Sequence, residues 1–496
     1  MVASECEPFA KTGGLADVVD ALARALGTLG HEVDVFLPRY RGLRPPNGSE
    51  RQPIAVSRPS HPTGDPAAEP TQVVLWNGPA DGYRIRLVDH PPSFDREGLY
   101  GQDGADYADN GARFGLLGEV ALAAAAADGA ALDVLHGHDW QAAPALLAME
   151  HGEHRQAAAL RETVTILSCH NLAFHGWVPR ERAWQLGLPG PVGAAGGVDL
   201  LREGIGVADM VNTVSPTYAV ESLSAEHGAG LDDALRARGD RYRGILNGID
   251  SSIWDPATDE ALAATYDRHD LSGKAADRLD LAARHGLDPD GPILGMVGRL
   301  DPQKGFDLLA AAAQDLLVLG ARVIVLGTGD GRLLAQLEGV ARRYPDRVVL
   351  LNRFDRDEAR RIYAGSDIFL MPSRFEPSGQ GQLIALRYGT VPLVRRTGGL
   401  ADTIWDVDVP AEKGAMLGNG YVFQEATPKA FVAAAERAAR RWADPEGWTE
   451  LVRRGMAEDH SWSRPANLYE QLYRDAVALR SGRVAAAGQG SGIVPG

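Results

Sequence analysis

The hexapeptide Thr-Gly-Gly-Leu-Ala-Asp occurs twice, at Thr12–Asp17 and letter for letter at Thr397–Asp402, each time ahead of an apolar segment of helical period. Six identical residues are improbable by chance. Glycines in front of a helix let an anion approach the backbone, where free N–H groups and the helix dipole favour negative charge. In the first copy Lys11 adds a full cation, so Lys11, Gly13 and Gly14 read as a phosphate contact before a helix from about Leu15 to Leu29. The second copy has two readings: a strand-to-helix turn chosen for packing, or a second glycine loop facing a shared cleft.

Two further constellations lie in the second half. Ile293-Leu-Gly-Met-Val runs as a strand into a loop carrying Arg299 and Lys304, and Ile368-Phe-Leu-Met runs into a loop with Glu376, Gly379 and Gly381 before a helix from about Gln382. Ligands of open α/β sheets bind beyond the carboxyl ends of strands, where these loops would sit. Taken singly, Arg299 and Lys304 could be exposed surface cations and Glu376 a helix-terminal charge. Taken together, they offer two cations for a leaving diphosphate and a carboxylate for sugar hydroxyls.

The first half places His136-Gly-His-Asp-Trp140 and Ser168-Cys-His-Asn-Leu172 at the ends of two short strands. A metal could take His136, His138, Asp139 and His170, but the spacing does not force three ligands to converge. Sugar recognition suits the same residues better: His, Asp and Asn bond hydroxyls while Trp140 offers a ring face. No metal and no cofactor is expected.

The elements that must position these groups alternate in both halves between β-branched runs and helical Ala/Leu/Arg segments, the pattern of parallel sheets with crossover helices. Strands are expected at Val33–Leu37, Arg84–Val88, Val134–His136, Thr163–Ser168 and Met210–Val214, then at Ile293–Val297, Val323–Leu326, Val348–Leu351, Ile368–Met371 and Val391–Val394. A turn-rich stretch from Asn247 to Pro292 puts a boundary near residue 250, giving domains 1–250 and 251–460. Pro-rich Arg44–Gln72 reads as a surface loop, and the Gly/Ala/Ser-rich stretch 481–496 as a disordered tail. Met1-Val-Ala-Ser leaves the first strand short of apolar residues.

The 496 residues, 45% of them apolar and 23% charged, allow two large cores. A formal net charge of −16 without a long basic run argues against nucleic acid as partner. No stretch is apolar for long enough to cross a membrane, the start has no basic-then-apolar leader, and Cys6 and Cys169 make no disulfide framework. A reducing cytoplasm is the expected location.

At this point the residues resemble a family, the bacterial glycogen and plant starch synthases. The resemblance spans roughly residues 1–480. It rests on Lys11-Thr-Gly-Gly-Leu-Ala-Asp-Val, His138-Asp-Trp, His170-Asn-Leu, Gly244-Ile-Leu-Asn-Gly-Ile-Asp250, Gly298-Arg-Leu-Asp-Pro-Gln-Lys-Gly, Pro372-Ser-Arg-Phe-Glu-Pro and Ala385 through Asp402, in the family's order.

The resemblance implies a GT-B type glycosyltransferase, with two Rossmann-like domains facing across a cleft and the last helix, about 465–479, packed back on the first. It implies a retaining enzyme that moves glucose from ADP-glucose to the non-reducing end of an α-1,4-glucan such as glycogen. Lys11, Gly13 and Gly14 would touch donor phosphates, Arg299 and Lys304 would neutralise the diphosphate, and Glu376 would hold donor-sugar hydroxyls. Asp139, His170, Asn171 and Asn247 would line the glucose site, and Phe354 stands where the family has a Tyr, a platform for adenine. Two departures fall in the expected phosphate loop, where the family's Glu-Pro-Cys-Gly is Glu376-Pro-Ser-Gly379 and its next pair is Gln380-Gly381, while Gln382 keeps its place.

Overall fold

The computed structural model describes residues 1–57, 70–188, 193, 196–410 and 417–490. The chain forms two compact units, one of Met1–Val214, Ala219–Ile245 and the stretch from Trp462 onward, the other of Ser215–Tyr218 and Leu246–Ser461. Both are α/β, with parallel strands joined by helical crossovers, the Rossmann-like class expected from the alternation of periods.

In the second unit six parallel strands lie in the order Val348–Leu351, Arg322–Leu326, Ile293–Val297, Ile368–Met371, Val391–Arg395, Tyr421–Phe423. The order runs outward on both sides of Ile293–Val297, so the topological switch falls between it and Ile368–Met371. Ligands bind at such a point, beyond the carboxyl ends of the two strands. The chain leaves those ends into the loops bearing Arg299, Lys304 and Glu376. Both strands are almost wholly buried, which is why their Val/Ile/Leu/Met runs are continuous rather than alternating.

In the first unit four parallel strands, Tyr242–Gly244, Met210–Thr213, Val164–Cys169 and Val134–His138, are adjacent in that order. A second sheet of four orders Asp34–Pro38, Arg84–Asp89, Thr71–Pro79 and Glu50–Val56. Val2 joins the two by parallel bridges to Phe36 and Gly137. The expected short first strand is therefore present as a bridge, held by Val2 N–H on the His136 carbonyl at 2.8 Å and by Ala3 N–H on Phe36 at 3.1 Å.

Two expectations change. Arg44–Gln72 is not one loop: Glu50–Val56 pairs antiparallel with Thr71–Pro79, with Pro53 tolerated because its strand is the sheet edge. Residues 58–69 of that stretch lie outside the described residues. The terminal helix runs Ser463–Gly490, longer than the expected 465–479 and into the stretch expected as tail, whose Ala485–Ala487 favour helix, while 491–496 lie outside the described residues.

That helix belongs to the first unit. Tyr469, Leu472 and Ala476, on one face at spacings of three and four, are buried with Val18, Leu22 and Leu26 of the helix Gly14–Thr28 and with Val164, Ile166 and Met210 of the sheet. Leu472 is fully buried there. Leu472→Ala should therefore cost about 2–5 kcal/mol and lower the thermal midpoint of the first unit. A calorimetric scan in which the transition stays put would show that the helix contributes no packing.

Candidate active site

In the second unit the two loops at the switch point are fastened to each other. Asp301 caps the single turn Pro302–Lys304, accepting from Gln303 N–H at 2.9 Å, and Gln303 Nε2 donates to the Phe375 carbonyl at 3.0 Å. Arg374 N–H returns a bond to the Gln303 carbonyl at 2.7 Å. This places Lys304 Nζ on both carboxylate oxygens of Glu376, at 2.9 and 2.7 Å, with Ser373 Oγ a third donor at 3.0 Å. Glu376 is only 4% exposed. Arg299, by contrast, has a side chain 58% exposed, and its ionic neighbour among the described residues is Asp301 at 3.6 Å, a loose contact worth little.

The remaining sequence-derived residues of this loop are backbone devices. Gly379 sits at φ +70, a left-handed conformation that glycine adopts without strain. Gly381 opens the short helix Gly381–Arg387, where a Cβ would stand 3.0 Å from the Phe369 ring. Gln382 is fully buried, and its Nε2 donates to the carbonyls of Ser378 and Gly379 at 3.2 and 3.1 Å and to Thr403 Oγ1 at 3.2 Å. It braces the loop from beneath. Phe354, past the strand Val348–Leu351, is 80% exposed, an apolar ring offered to solvent. Asn247 is buried with its Oδ1 lacking a hydrogen-bond partner.

The two Thr-Gly-Gly-Leu-Ala-Asp copies have different surroundings. At Gly399 a Cβ would fall 1.9 Å from the Ser378 carbonyl oxygen and at Gly398 2.0 Å from that of Glu376, while Gly399 N–H donates to Glu376 O at 3.0 Å. The second copy is a packing turn that backs the Glu376 loop. At Gly13 and Gly14 no atom lies within 4 Å of where a Cβ would be, so the backbone of the first copy stands open.

Its N–H groups are partly in use, however. The buried Glu5 carboxylate accepts from Thr12 N–H at 2.5 Å, Thr12 Oγ1 at 2.6 Å, Gly13 N–H at 3.0 Å and Tyr100 OH at 2.6 Å. Gly13 thus has no free donor, and Lys11 is ion-paired with Asp17 and with Glu7 at 3.4 Å. Glu5 escaped the sequence reading because a lone acid carries no spacing signal, and its partner Tyr100 is far along the chain.

The histidine motifs of the first unit converge. His138 Nδ1 lies 3.0 Å from His170 Nε2, and Asp139 Oδ1 accepts from His170 N–H at 2.7 Å. Asp139 holds φ +56 at the start of the helix Asp139–His151. Burial pushes its carboxyl up to about 7 and the His170 imidazole down to about 4. Asn171 folds back locally, its Oδ1 accepting from Ala173 N–H at 3.0 Å. Trp140 does not offer a ring face: it is buried edge-on against Phe114, 5.2 Å between centroids, and a Cβ at Gly176 would meet it at 2.2 Å. Among the described residues no three His, Cys, Asp or Glu side chains are grouped to hold a metal ion.

Comparisons agree with this arrangement unit by unit. Residues 1–237 match the starch synthase catalytic domain family, and residues 277–453 the group 1 glycosyl transferases. The chain is 43% identical over 493 residues to a glycogen synthase of Syntrophotalea carbinolica, covering 97% of this chain and 99% of the relative. The chain belongs to the glycogen and starch synthase family. A glycogen synthase of Anaeromyxobacter dehalogenans is 45% identical over 484 residues, covering 95% of this chain and 98% of that one. Among solved structures, the catalytic domain of starch synthase IV from Arabidopsis thaliana, bound to ADP and acarbose, superposes with a TM-score of 0.85 at 32% identity, covering 96% and 98% of the two chains. As in its family, two α/β domains carry glycosyl transfer, and no helix among the described residues is long and apolar enough to cross a membrane.

Proposed function

We propose that this protein is a retaining glucosyltransferase of the cytoplasm that transfers glucose from ADP-glucose to the non-reducing end of an α-1,4-glucan. The observation that carries the reading is the Lys304 ammonium held on the buried Glu376 carboxylate where the six-stranded sheet reverses its order. An ammonium has three donors. Two are on Glu376, so one remains for an anion, with the exposed Arg299 guanidinium on the same loop. The related starch synthase bound to ADP supports a nucleoside diphosphate as that anion.

As the glucosyl bond breaks, its bridging oxygen gains charge, and cations fixed beforehand stabilise that state more than the bound donor. The departing phosphate oxygen takes the proton of the acceptor hydroxyl, which attacks the same face of the sugar. Glu376 holds donor-sugar hydroxyls through lone pairs not used by Lys304 and Ser373. In the first unit Lys11 and the open backbone at Gly14 serve the phosphates, while Asp139, His170 and Asn171 serve the sugar, as Asn247 does in the second. His170, pushed down to about 4 by burial, is neutral at pH 7 and acts there as a hydrogen-bonding group.

The test is nucleoside diphosphate release with ADP-, UDP- and GDP-glucose, each with and without glycogen. Glycogen-dependent release from ADP-glucose is expected. Glycogen binding without release from any donor would sink the reading. The base platform is checked separately: Phe354→Ala should weaken ADP binding by about 1–3 kcal/mol in a calorimetric titration. An unchanged affinity removes Phe354 from the site.

A further inference from the structure

The first unit contains a buried polar chain that the transfer reaction above does not use. His136, Ser168 and Asn212 stand on three neighbouring strands, all buried, and two tyrosines of the terminal helix complete the set. Ser168 Oγ donates its one proton to Asn212 Oδ1 at 2.7 Å. It must therefore accept from His136 Nε2–H, also at 2.7 Å. A neutral ring with its proton on Nε2 accepts at Nδ1, and Tyr473 OH supplies that bond at 2.8 Å. Asn212 Nδ2 donates to Tyr469 OH at 3.1 Å, closing the chain on the same helix. With the Asn212 amide oriented so, the Nε2–H tautomer of His136 satisfies every link.

His136 is also the innermost of three imidazoles in a row. Its centroid is 4.2 Å from that of His138, which lies 5.3 Å from His170 with planes 28° apart. His138 Nδ1 bonds His170 Nε2 at 3.0 Å, but His138 Nε2 has no hydrogen-bond partner. His138 is fully buried, so its plane is set by packing as well as by that one hydrogen bond. The His136 ring, 4.2 Å away, is one wall of that packing and so bears on the direction of the bond to His170.

We propose that Tyr473 and Tyr469 are positioning residues for His170, acting through His136, Ser168 and the His138 ring. The terminal helix thus sets a side chain assigned above to the sugar. This rests on the proposed role of His170, but the orientation of the rings can be read without activity.

The experiment compares full-length Tyr473→Phe and Ser168→Ala with Asp475→Asn. Asp475 ties the same helix to the first unit through Arg243 at 2.5 Å and touches no histidine of the row, so it reports helix anchoring alone. Each variant is followed by melting temperature, by kcat and KM for ADP-glucose and glycogen, and by ring resonances of nitrogen-15-labelled histidine. Tyr473→Phe and Ser168→Ala should each turn His136 from one tautomer to a mixture, move the His170 signal, and lower kcat by about 10-fold with little change in either KM. Asp475→Asn should lower the melting temperature and leave kcat and those resonances as in the unaltered protein.

Equal losses of kcat in Tyr473→Phe and Asp475→Asn would overturn the proposal, as would unchanged His136 and His170 resonances in both Tyr473→Phe and Ser168→Ala. If the unaltered protein transfers no glucose, the proposed function fails, while the resonances still decide whether the tyrosines orient the row.

Discussion

Lys304→Ala and Arg299→Ala should each lower kcat about 10²- to 10³-fold, the scale for losing one preorganised charge-stabilising donor. Only the first should also destabilise the fold. As a matter of sequence, both are loop cations whose removal costs folding little. The structure separates them. Arg299 meets one acid at 3.6 Å from an exposed position. Lys304, with a side chain 27% exposed, is the cationic partner of a carboxylate that is almost fully buried. Removing it leaves Glu376 desolvated with only Ser373 as a described side-chain donor, at a cost of roughly 1–3 kcal/mol.

Thermal melting should therefore show a lower midpoint for Lys304→Ala and none for Arg299→Ala. Adding Glu376→Gln to Lys304→Ala should restore part of the stability without restoring kcat, because the neutral amide does not demand a cation. The double variant Arg299→Ala/Lys304→Ala should lose less kcat than the product of the single losses, since both serve one leaving group. Normal turnover in either folded single variant would make that residue an ordinary cation and void its assignment to the leaving group.

How far the sequence was legible depended on whether a signal was local. The strands of the second unit were readable almost to the residue, since Ile293–Val297 and Ile368–Met371 are uninterrupted buried runs between polar turns. Tyr421–Phe423 was not, because a three-residue strand at the sheet edge has too few positions to show a period. Glu50–Val56 was hidden by Pro53, a residue that argues against a central strand but is acceptable at an edge.

The same division holds at the site. The placement of Arg299, Lys304 and Glu376 in loops beyond two adjacent strand ends was legible because the strands before them carry a local signal. The pairing of Lys304 with Glu376, the Glu5 carboxylate under Thr12 and Gly13, and the Tyr473–His136 bond depend on residues far apart in sequence, and no spacing rule reports them. Trp140 shows the converse. Its place beside His138 and Asp139 suggested a ring face for sugar, but packing against Phe114 and Gly176 had already taken the ring.

The sharpest demonstration that identical local sequence can carry different physics is the same substitution at equivalent positions of the two hexapeptides. Gly14→Ala should leave stability unchanged or raised, while Gly399→Ala should destabilise the second unit by about 1–3 kcal/mol. Gly14 begins the helix Gly14–Thr28, its Cβ would meet nothing within 4 Å, and alanine is the better helix former. At Gly399 the added Cβ would lie 1.9 Å from the Ser378 carbonyl oxygen and 2.5 Å from its carbon, and backbone atoms cannot rotate aside as a side chain can. The turn or the Glu376 loop must move, and Gly399 N–H would then lose its 3.0 Å bond to Glu376.

Activity should fall in both variants for different reasons. In Gly399→Ala the displaced loop carries Glu376 away from its place on Lys304, so kcat falls together with the melting temperature. In Gly14→Ala the methyl fills space that the proposed donor phosphates would enter, so KM for ADP-glucose rises in a protein as stable as before. Denaturant midpoints for the two variants, measured beside their kinetics, decide it. If Gly14→Ala binds donor normally, the open backbone of the first copy is not a phosphate contact. If Gly399→Ala is as stable as the unaltered protein, the second copy is not the backing of the Glu376 loop.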